Sequence, residues 1–488
     1  MTKRRMESSC EPRGSESRGI VQTETSGKYL PRISAALITL LPPIALGDLT
    51  QVNGMNEAER NTATMIQALC PQMVLLNNQT PLVGGQAQLL VECRALVQTS
   101  NAQQGSGLTN NDLGYDEPEL REALSQIAHQ EVAIESSTAT ETIDGQFDTI
   151  STRMSALRRG AIGGGPGGLS LNMDGQHMLA NVMTGGAAGD GASGWSLYLN
   201  GNYNFGDKET TSRESGFDYD NYGVTFGADR RLSAATIFGA AVGYATTESE
   251  VVDNGGTFED ENQSLSAYAT HTYANGIYID AIVTYGMVDY DTLRKVRLPD
   301  PSNPVAGVLT DDDIKGSTEG EQTAFSLGIG KDFHSASNNL DYGVYGRAQA
   351  YRSRIDGYSE TSSTGSGLEL EVKEQVINSA EMTLGAQISR SLSRSYGVLV
   401  PQARVEYFHE FENDSRGITA RYIHDPFNNG AYLFSVPTDN PDRDFFTVGL
   451  GVSAVLQSGT QMFAFYETTA GLDDMTNHSV IFGVRGEF

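Results

Sequence analysis

Two periods divide the chain. Between residues 48 and 160 apolar side chains recur every three or four positions, the spacing of a helix face. In "NEAERNTATMIQALC" this puts Ala58, Met65, Ile66 and Leu69 near one face. In "QAQLLVECRALVQ" it groups Leu89, Leu90, Cys93, Leu96 and Val97. "YDEPELREALSQIAHQEV" predicts a third helix: Asp116 suits the N-cap, Glu117 and Pro118 the first turn, and Leu120, Leu124 and Ile127 form the stripe. A fourth helical run, "GQFDTISTRMSALRRG", spans Gly145 to Gly160 and stops on two arginines and a glycine. The glycine-rich stretch to Gly194 reads as a linker and the main domain boundary, with a short helix expected near Gln176 to Met183.

From Trp195 onward the period falls to two. Twelve segments alternate, from "WSLYLNGNYNFG" to "HSVIFGVRGEF", most near the 9–11 residues that a tilted membrane-spanning strand needs. Their connections alternate as well. Strands two and three, four and five, six and seven, eight and nine, and ten and eleven are joined by tight turns such as "YANG" and "QSG". The other connections are mostly long and polar, among them Asp289 to Gln322 and Glu412 to Asp444. Short turns at one end and long loops at the other describe an antiparallel membrane β-barrel of about 12 strands, with both chain ends on the short-turn side. A soluble β-sandwich does not require that alternation. In the final segment Phe488, Gly486, Val484, Phe482 and Val480 then face lipid, and Glu487 and Arg485 face the lumen.

Composition narrows the class. The net charge of −28 argues against nucleic acid as a partner, because a phosphate backbone calls for a basic surface. No later stretch reaches 18 consecutive apolar residues, so no transmembrane helix is expected. Near the start, Lys28 and Arg32 precede the apolar run Ile33 to Leu46, with Ala45 and Gly47 at small-residue cleavage positions. Residues 1–47 therefore read as a cleavable export signal with an N-terminal extension; a short membrane-anchoring helix is the alternative. Translation from Met6 or elsewhere would shorten that extension. Cleavage would remove Cys10 and leave Cys70 and Cys93, which should pair in an oxidising periplasm. Such a bridge stabilises by roughly 3 kcal/mol. Two buried free thiols are the other reading.

Three stretches follow one another in the last ninety residues: "LVPQARVEYFHEF" (Leu399 to Phe411), "RDFFTVGLGVSAVLQSG" and "MFAFYETTAG…NHSVIFGVRGEF". On these, residues 195–488 resemble the autotransporter translocator domain of type V secretion, being similar in turn to that family's proline-containing strand, its Arg-Asp…Gly-x-Gly strand and its last hairpin. The resemblance implies that Phe488, with Val484, Phe482 and Val480, is the C-terminal signal read by the barrel-assembly machinery. It also implies a helix threaded through the pore. The best match is Gln146 to Arg159, whose Arg153, Arg158 and Arg159 would pair with acidic lumen residues; the piece near Gln176 to Met183 is an alternative plug. The helix could instead pack beside the cysteine-stapled module. Residues 48–145 would be a small helical passenger without repeats, either displayed or periplasmic, and residues 146–194 the pore helix and linker. Asn172 and Asn181 are not part of an Asn-Asn pair, so autocleavage is not expected. Outer-membrane lipid, lipopolysaccharide, the assembly machinery and an unidentified surface ligand are the expected partners, in the bacterial outer membrane.

Candidate chemistry is sparse. "GDLT" at Gly47 lacks a serine nucleophile, and "HEF" at His409 is not His-Glu-x-x-His; on a strand His409 and Glu410 point to opposite faces. The acidic stretches Thr310 to Gly316 and Glu259 to Asn262 read as solvated loop tips that could hold a divalent cation. Glycine pairs near Gly328 and Gly449 lie in strands with no following helix and do not suggest nucleotide binding. No catalytic residue, metal site or cofactor is expected. The expected function is a barrel that anchors, and exports or displays, the helical module. A porin-like channel with a periplasmic helical domain is the alternative. An enzyme within residues 48–145 is disfavoured, for want of a nucleophile–base or metal constellation.

Overall fold

The structure is a computed structural model that describes residues 47–162, 171–173, 176–178 and 195–487, apart from 253–254, 303–306, 429 and 458–459. Twelve strands form the barrel: β1 (Trp195–Lys208), β2 (Phe217–Arg231), β3 (Thr236–Val251), β4 (Thr257–Thr272), β5 (Ile277–Pro299), β6 (Val308–Ser335), β7 (Leu340–Ile355), β8 (Gln375–Arg390), β9 (Gly397–Glu410), β10 (Asp444–Leu456), β11 (Gln461–Ala470) and β12 (Met475–Glu487). Each pairs antiparallel with its neighbours in sequence, and β12 pairs with β1 from Met475↔Lys208 to Glu487↔Ser196. Closure leaves no edge in the lipid, where an unpaired backbone group would be costly. Alternation does the sorting: Phe446, Val448 and Leu450 on β10 are exposed, as are Val242, Phe325 and Phe482 around the wall. Such a girdle of apolar side chains is stable only against a hydrocarbon phase. Among the described residues no helix is long and apolar enough to cross a membrane.

The stretch Asp289 to Gln322, expected as a loop, is mostly strand. β5 has 23 residues and β6 has 28, far more than a crossing needs. Pairing continues from Asp289↔Glu319 up to Leu298↔Thr310. The inner positions Tyr290, Arg294, Val296, Leu298 and Ile314 stay buried, but the outer ones change from apolar to charged at Asp289 and Asp291. That change marks the exit from lipid into water, and on sequence it resembles a loop. Both acidic stretches of interest, Thr310 to Gly316 and Glu259 to Asn262, consequently lie on strands.

At the long-loop end sits the helical module: α1 (Glu57–Gln79), α2 (Gly85–Gln103) and α3 (Glu117–Ile127). α1 continues through Pro71, beyond the stretch that periodicity marked. Capping boxes pair Asn56 with Glu59 and Asp116 with Glu119, satisfying N-terminal amides that would otherwise lack acceptors. Cys70 and Cys93 form a disulfide that staples α1 to α2.

The module does not close its own core. Leu69, Met73, Leu89, Leu96, Leu120 and Leu124 share one buried cluster with Val296, Leu298 and Ile314 of the protruding hairpin. Leu370, Val372, Ile418, Tyr422, Phe434 and Val436 of the loops complete it. Those loop residues belong to a four-stranded sheet built from Tyr358–Ser359, Leu370–Val372, Gly417–Tyr422 and Phe434–Pro437. Its outer edge meets α1, where Asn61 Nδ2 donates to the Ser435 carbonyl at 2.9 Å. Among the described residues the top of β5 has no strand beyond it on the β4 side, and there the Arg297 amide donates to Gln126 Oε1 of α3 at 2.6 Å. Helices thus cover sheet edges that would otherwise invite aggregation. Gly367, at φ +82° and pressed against the backbone of Gly85 and Leu89, lets a loop approach α2 as no larger residue could.

α4 (Glu131–Ile162) leaves the module and descends the lumen. Its 32 residues span about 48 Å, enough to cross a bilayer of about 40–45 Å. It begins well before Gly145, so the expected boundary between residues 145 and 146 falls inside one helix. Gly145 is an interior position: a Cβ there would lie 2.8 Å from Asn202 Nδ2 and 3.1 Å from Asn204 Nδ2 on β1. Close approach to the wall outweighs the cost of about 1 kcal/mol for a mid-helix glycine. Gln176–Met178 is a short strand paired with Leu171–Met173, in place of the helix expected from Gln176 to Met183, whose remainder lies outside the described residues.

The helix-filled lumen and its cap

α4 is held by polar contacts spaced along its length. Near the middle, Gln146 Nε2 donates to Ser266 Oγ on β4 at 3.0 Å. Phe147, Ile150 and Met154 pack with Tyr268, Ile282 and Ala324 of the inner wall. Towards the short-turn end, Arg153 donates to Asp229 Oδ2 at 2.7 Å and to Ser196 Oγ at 2.9 Å, with its guanidinium 5.0 Å from the Tyr198 ring. Arg158 pairs with Asp280, lies 3.5 Å from Asp332 and stacks 3.6 Å above Tyr278. Both arginines are buried, so their worth depends on the carboxylates that face them. The Arg159 side chain lies outside the described residues. On the opposite wall Arg404 joins Glu467 and Glu406 and lies 3.7 Å from Asp148 of α4.

A second charged cluster fastens the cap. α3 ends at Ile127 and α4 starts at Glu131; His129 in the connecting turn adopts φ 51°. His129 Nε2 is 3.0 Å from the Tyr358 hydroxyl and 3.6 Å from Glu360, and Nδ1 is 3.3 Å from Glu131. Arg294 of β5 donates to Glu360 Oε2 at 2.6 Å and to the carbonyls of Ile127 and Leu368. Arg294, Glu360, His129 and Glu131 are all fully buried. Burial alone would raise the Glu360 carboxyl, but Arg294 and His129 bring it below the usual range. One arginine thus ties a barrel strand, a loop and the module's last helix turn together.

Glu92 of α2 behaves in the opposite sense. Burial pushes its carboxyl up to about 7, while it accepts a hydrogen bond from Thr310 of β6 and lies near Asp312. A carboxyl whose pKa rises on folding holds its proton more tightly in the docked state. Its contribution to docking is full below about pH 4.5 and is lost as pH rises through about 7. Glu92→Gln should therefore strengthen the cap by about 3 kcal/mol at pH 8 and change little at pH 4. Hydrogen exchange of the α1–α3 amides at both pH values checks this.

Other predicted positions are placed as follows. Cys70 and Cys93 are bonded. Phe482 and Val484 face outward on β12, Val480 is half-buried, and Phe488 lies outside the described residues. His409 pairs with Asp444 on the outer face at 2.7 Å, whereas Glu410 points inward. Sequence reasoning missed Asp229 and Asp280 as partners of α4, and the Arg294–Glu360–His129 cluster entirely. The signal for the first pair was present: each is a lone acid at an inward position of an alternating strand.

The autotransporter β-domain model matches residues 197–467, more than half of the chain. The chain belongs to the autotransporter β-domain family. Autotransporter β-domains are outer-membrane transport barrels. The chain is 28% identical over 225 residues to "Uncharacterized protein in trpE-trpG intergenic region" of Pseudomonas putida, covering 45% of this chain and 35% of that protein. It is 25% identical over 270 residues to "Uncharacterized protein YaiT" of Salmonella typhimurium, covering 54% and 23%. It thus spans about a third or less of the length of these curated relatives. Among solved structures, the translocator domain of autotransporter NalP from Neisseria meningitidis is similar with a TM-score of 0.48 at 16% identity, covering 72% of this chain and 99% of that one. The β-domain of the Bordetella autotransporter BrkA gives 0.42 at 18% identity, covering 61% and 100%.

Proposed function

We propose that this autotransporter-type barrel carries its own N-terminal module through the lumen and holds it at the cell surface as a fixed cap. One observation carries the reading. The module sits at the long-loop end, β1 starts at the short-turn end, and α4 runs through the lumen between them. In outer-membrane barrels short turns face the periplasm and long loops face outward, which supports a module on the cell surface. A chain whose first strand begins on the inside reaches that arrangement only by crossing the pore. The shared core supports retention: helices and loops bury one another's apolar faces, so the module is a part of the barrel's outer wall rather than a tethered passenger. The porin-like alternative is disfavoured by α4, whose buried arginines occupy the lumen. C-terminal recognition of β12 by the assembly machinery, and outer-leaflet lipopolysaccharide around the exposed girdle, complete the proposal.

Protease shaving of intact cells tests it. The expected result is cleavage confined to the α1–α2 connection and the loop tips, with the barrel strands intact. Full protection of the module, while a known surface protein is cut, would overturn surface display.

A further inference from the structure

α4 packs mainly against β1–β5, and this leaves a cavity of about 670 Å³ on the β8–β12 side near the long-loop end. That is the volume of an ordinary small-ligand site. Its rim comes from the loop segments 412–416, 438–442 and 472–474 and carries Glu412, Asp414, Asp442, Asp473 and Asp474. None of these five forms an ion pair among the described residues. Three cations of the lining are already engaged: Lys208 lies 2.7 Å from Glu214 and 2.8 Å from Asp439, Arg213 is 3.6 Å from Glu57, and Arg347 is 3.5 Å from Glu406. A fourth, Arg416, forms no ion pair among the described residues and keeps a buried Nη1 without a hydrogen-bond partner, so the anionic character of the mouth rests on the five acids outnumbering it. Burial and the adjacent Asp473 and Asp474 hold the Asp442 carboxyl above the usual range, a crowding that a bound cation would relieve.

A second feature is independent of the charge. Asn204 lines the cavity, is 3% exposed, and donates through Nδ2 to Asn221 Oδ1, yet its own Oδ1 has no hydrogen-bond partner. A buried acceptor left unpaired is costly. Gln349 Oε1, also in the lining, is unpaired and buried as well. The stacked rings of Phe408 and Phe445, 4.9 Å apart, form part of the wall and offer a face to a cation. The inner end is closed where Arg404 binds Glu406 and Glu467. The site is therefore a blind chamber with an anionic mouth, an aromatic wall and unfilled acceptors. No group of three or more His, Cys, Asp or Glu among the described residues is placed to hold a metal ion. An elongated cation with several N–H donors fits better than a compact one.

We propose that this chamber binds a linear aliphatic polyamine, one ammonium lying among Asp442, Asp473 and Asp474 and a deeper N–H donating to Asn204 Oδ1. The site needs nothing from the export reading and goes beyond it. Calorimetric titration of the detergent-solubilised full chain with spermidine tests it, with Mg²⁺ as the comparator. Saturable one-site binding is expected, weakened about tenfold or more by Asp473→Asn with Asp474→Asn. Glu248→Gln with Glu259→Gln, two exposed carboxylates on the outer wall, should leave it unchanged. Absence of saturable spermidine binding, equal binding of Mg²⁺, or equal weakening by the outer-wall pair would each overturn the proposal. Both variant pairs are solvent-facing, so retained heat-modifiable migration of the barrel separates lost binding from lost folding.

Discussion

Arg294→Ala should release the cap. The substitution leaves Glu360 and Glu131 buried with only His129 between them, and it strands the carbonyls of Ile127 and Leu368. Removing one partner of a buried pair costs about 3–5 kcal/mol, because the remaining charge loses its counter-ion without regaining water. Cap opening should then rise by roughly two to four orders of magnitude, read as hydrogen exchange in α3 and in residues 358–372. A compensating variant separates charge from packing. Arg294→Met with Glu360→Gln removes both members, and most of the lost protection should return. If the single and double variants open equally, the cluster fastens the cap by shape rather than by charge.

The second large effect concerns the lumen. Arg153→Ala with Arg158→Ala strips α4 of its contacts to Asp229, Asp280 and Asp332 at the short-turn end. Each arginine also gives up an aromatic face, Tyr198 or Tyr278. The carboxylates left behind repel one another and attract water, and the end of the helix should leave the wall. In planar bilayers the native protein should conduct weakly, because α4 fills the pore. The double variant should show larger and more frequent openings. Unchanged conductance would mean that apolar packing by Phe147, Ile150 and Met154 is enough to keep the lumen closed.

The barrel was legible because lipid enforces a period of two on every strand, and twelve alternating segments with alternating loop lengths leave few other folds. The rule fails where lipid stops. Above Asp289 and Glu321 the outward positions face water, so strand and polar loop look alike, and the tall β5–β6 hairpin was hidden. Periodicity starts α4 only at Gly145, because "ESSTATETID" before it is rich in Ser and Thr, which have weak intrinsic helix preference. Context overrides that preference: the helix starts at a buried, hydrogen-bonded turn and has a barrel wall to lie against. Arg153 and Arg158 stood out as helix charges, but their partners sit 76 and 122 positions away. Arg294, Glu360 and His129 come from three distant segments, and no local pattern joins them. The shared core of helices and loops was equally unreadable, since each α-helix stripe looks the same whether it meets another helix or a sheet.

The arrangement as a whole rests on which end of the barrel faces out. Val83 lies 74% exposed in the α1–α2 connection of the cap, and Ala234 is exposed in the turn between β2 and β3 at the other end. Val83→Cys and Ala234→Cys, each expressed separately, can be treated on intact cells with a membrane-impermeant maleimide, with the native chain as background. The account predicts labelling at position 83 before permeabilisation, and at position 234 only after it. Labelling at 234 on intact cells with 83 protected would place the module in the periplasm and contradict export through the lumen.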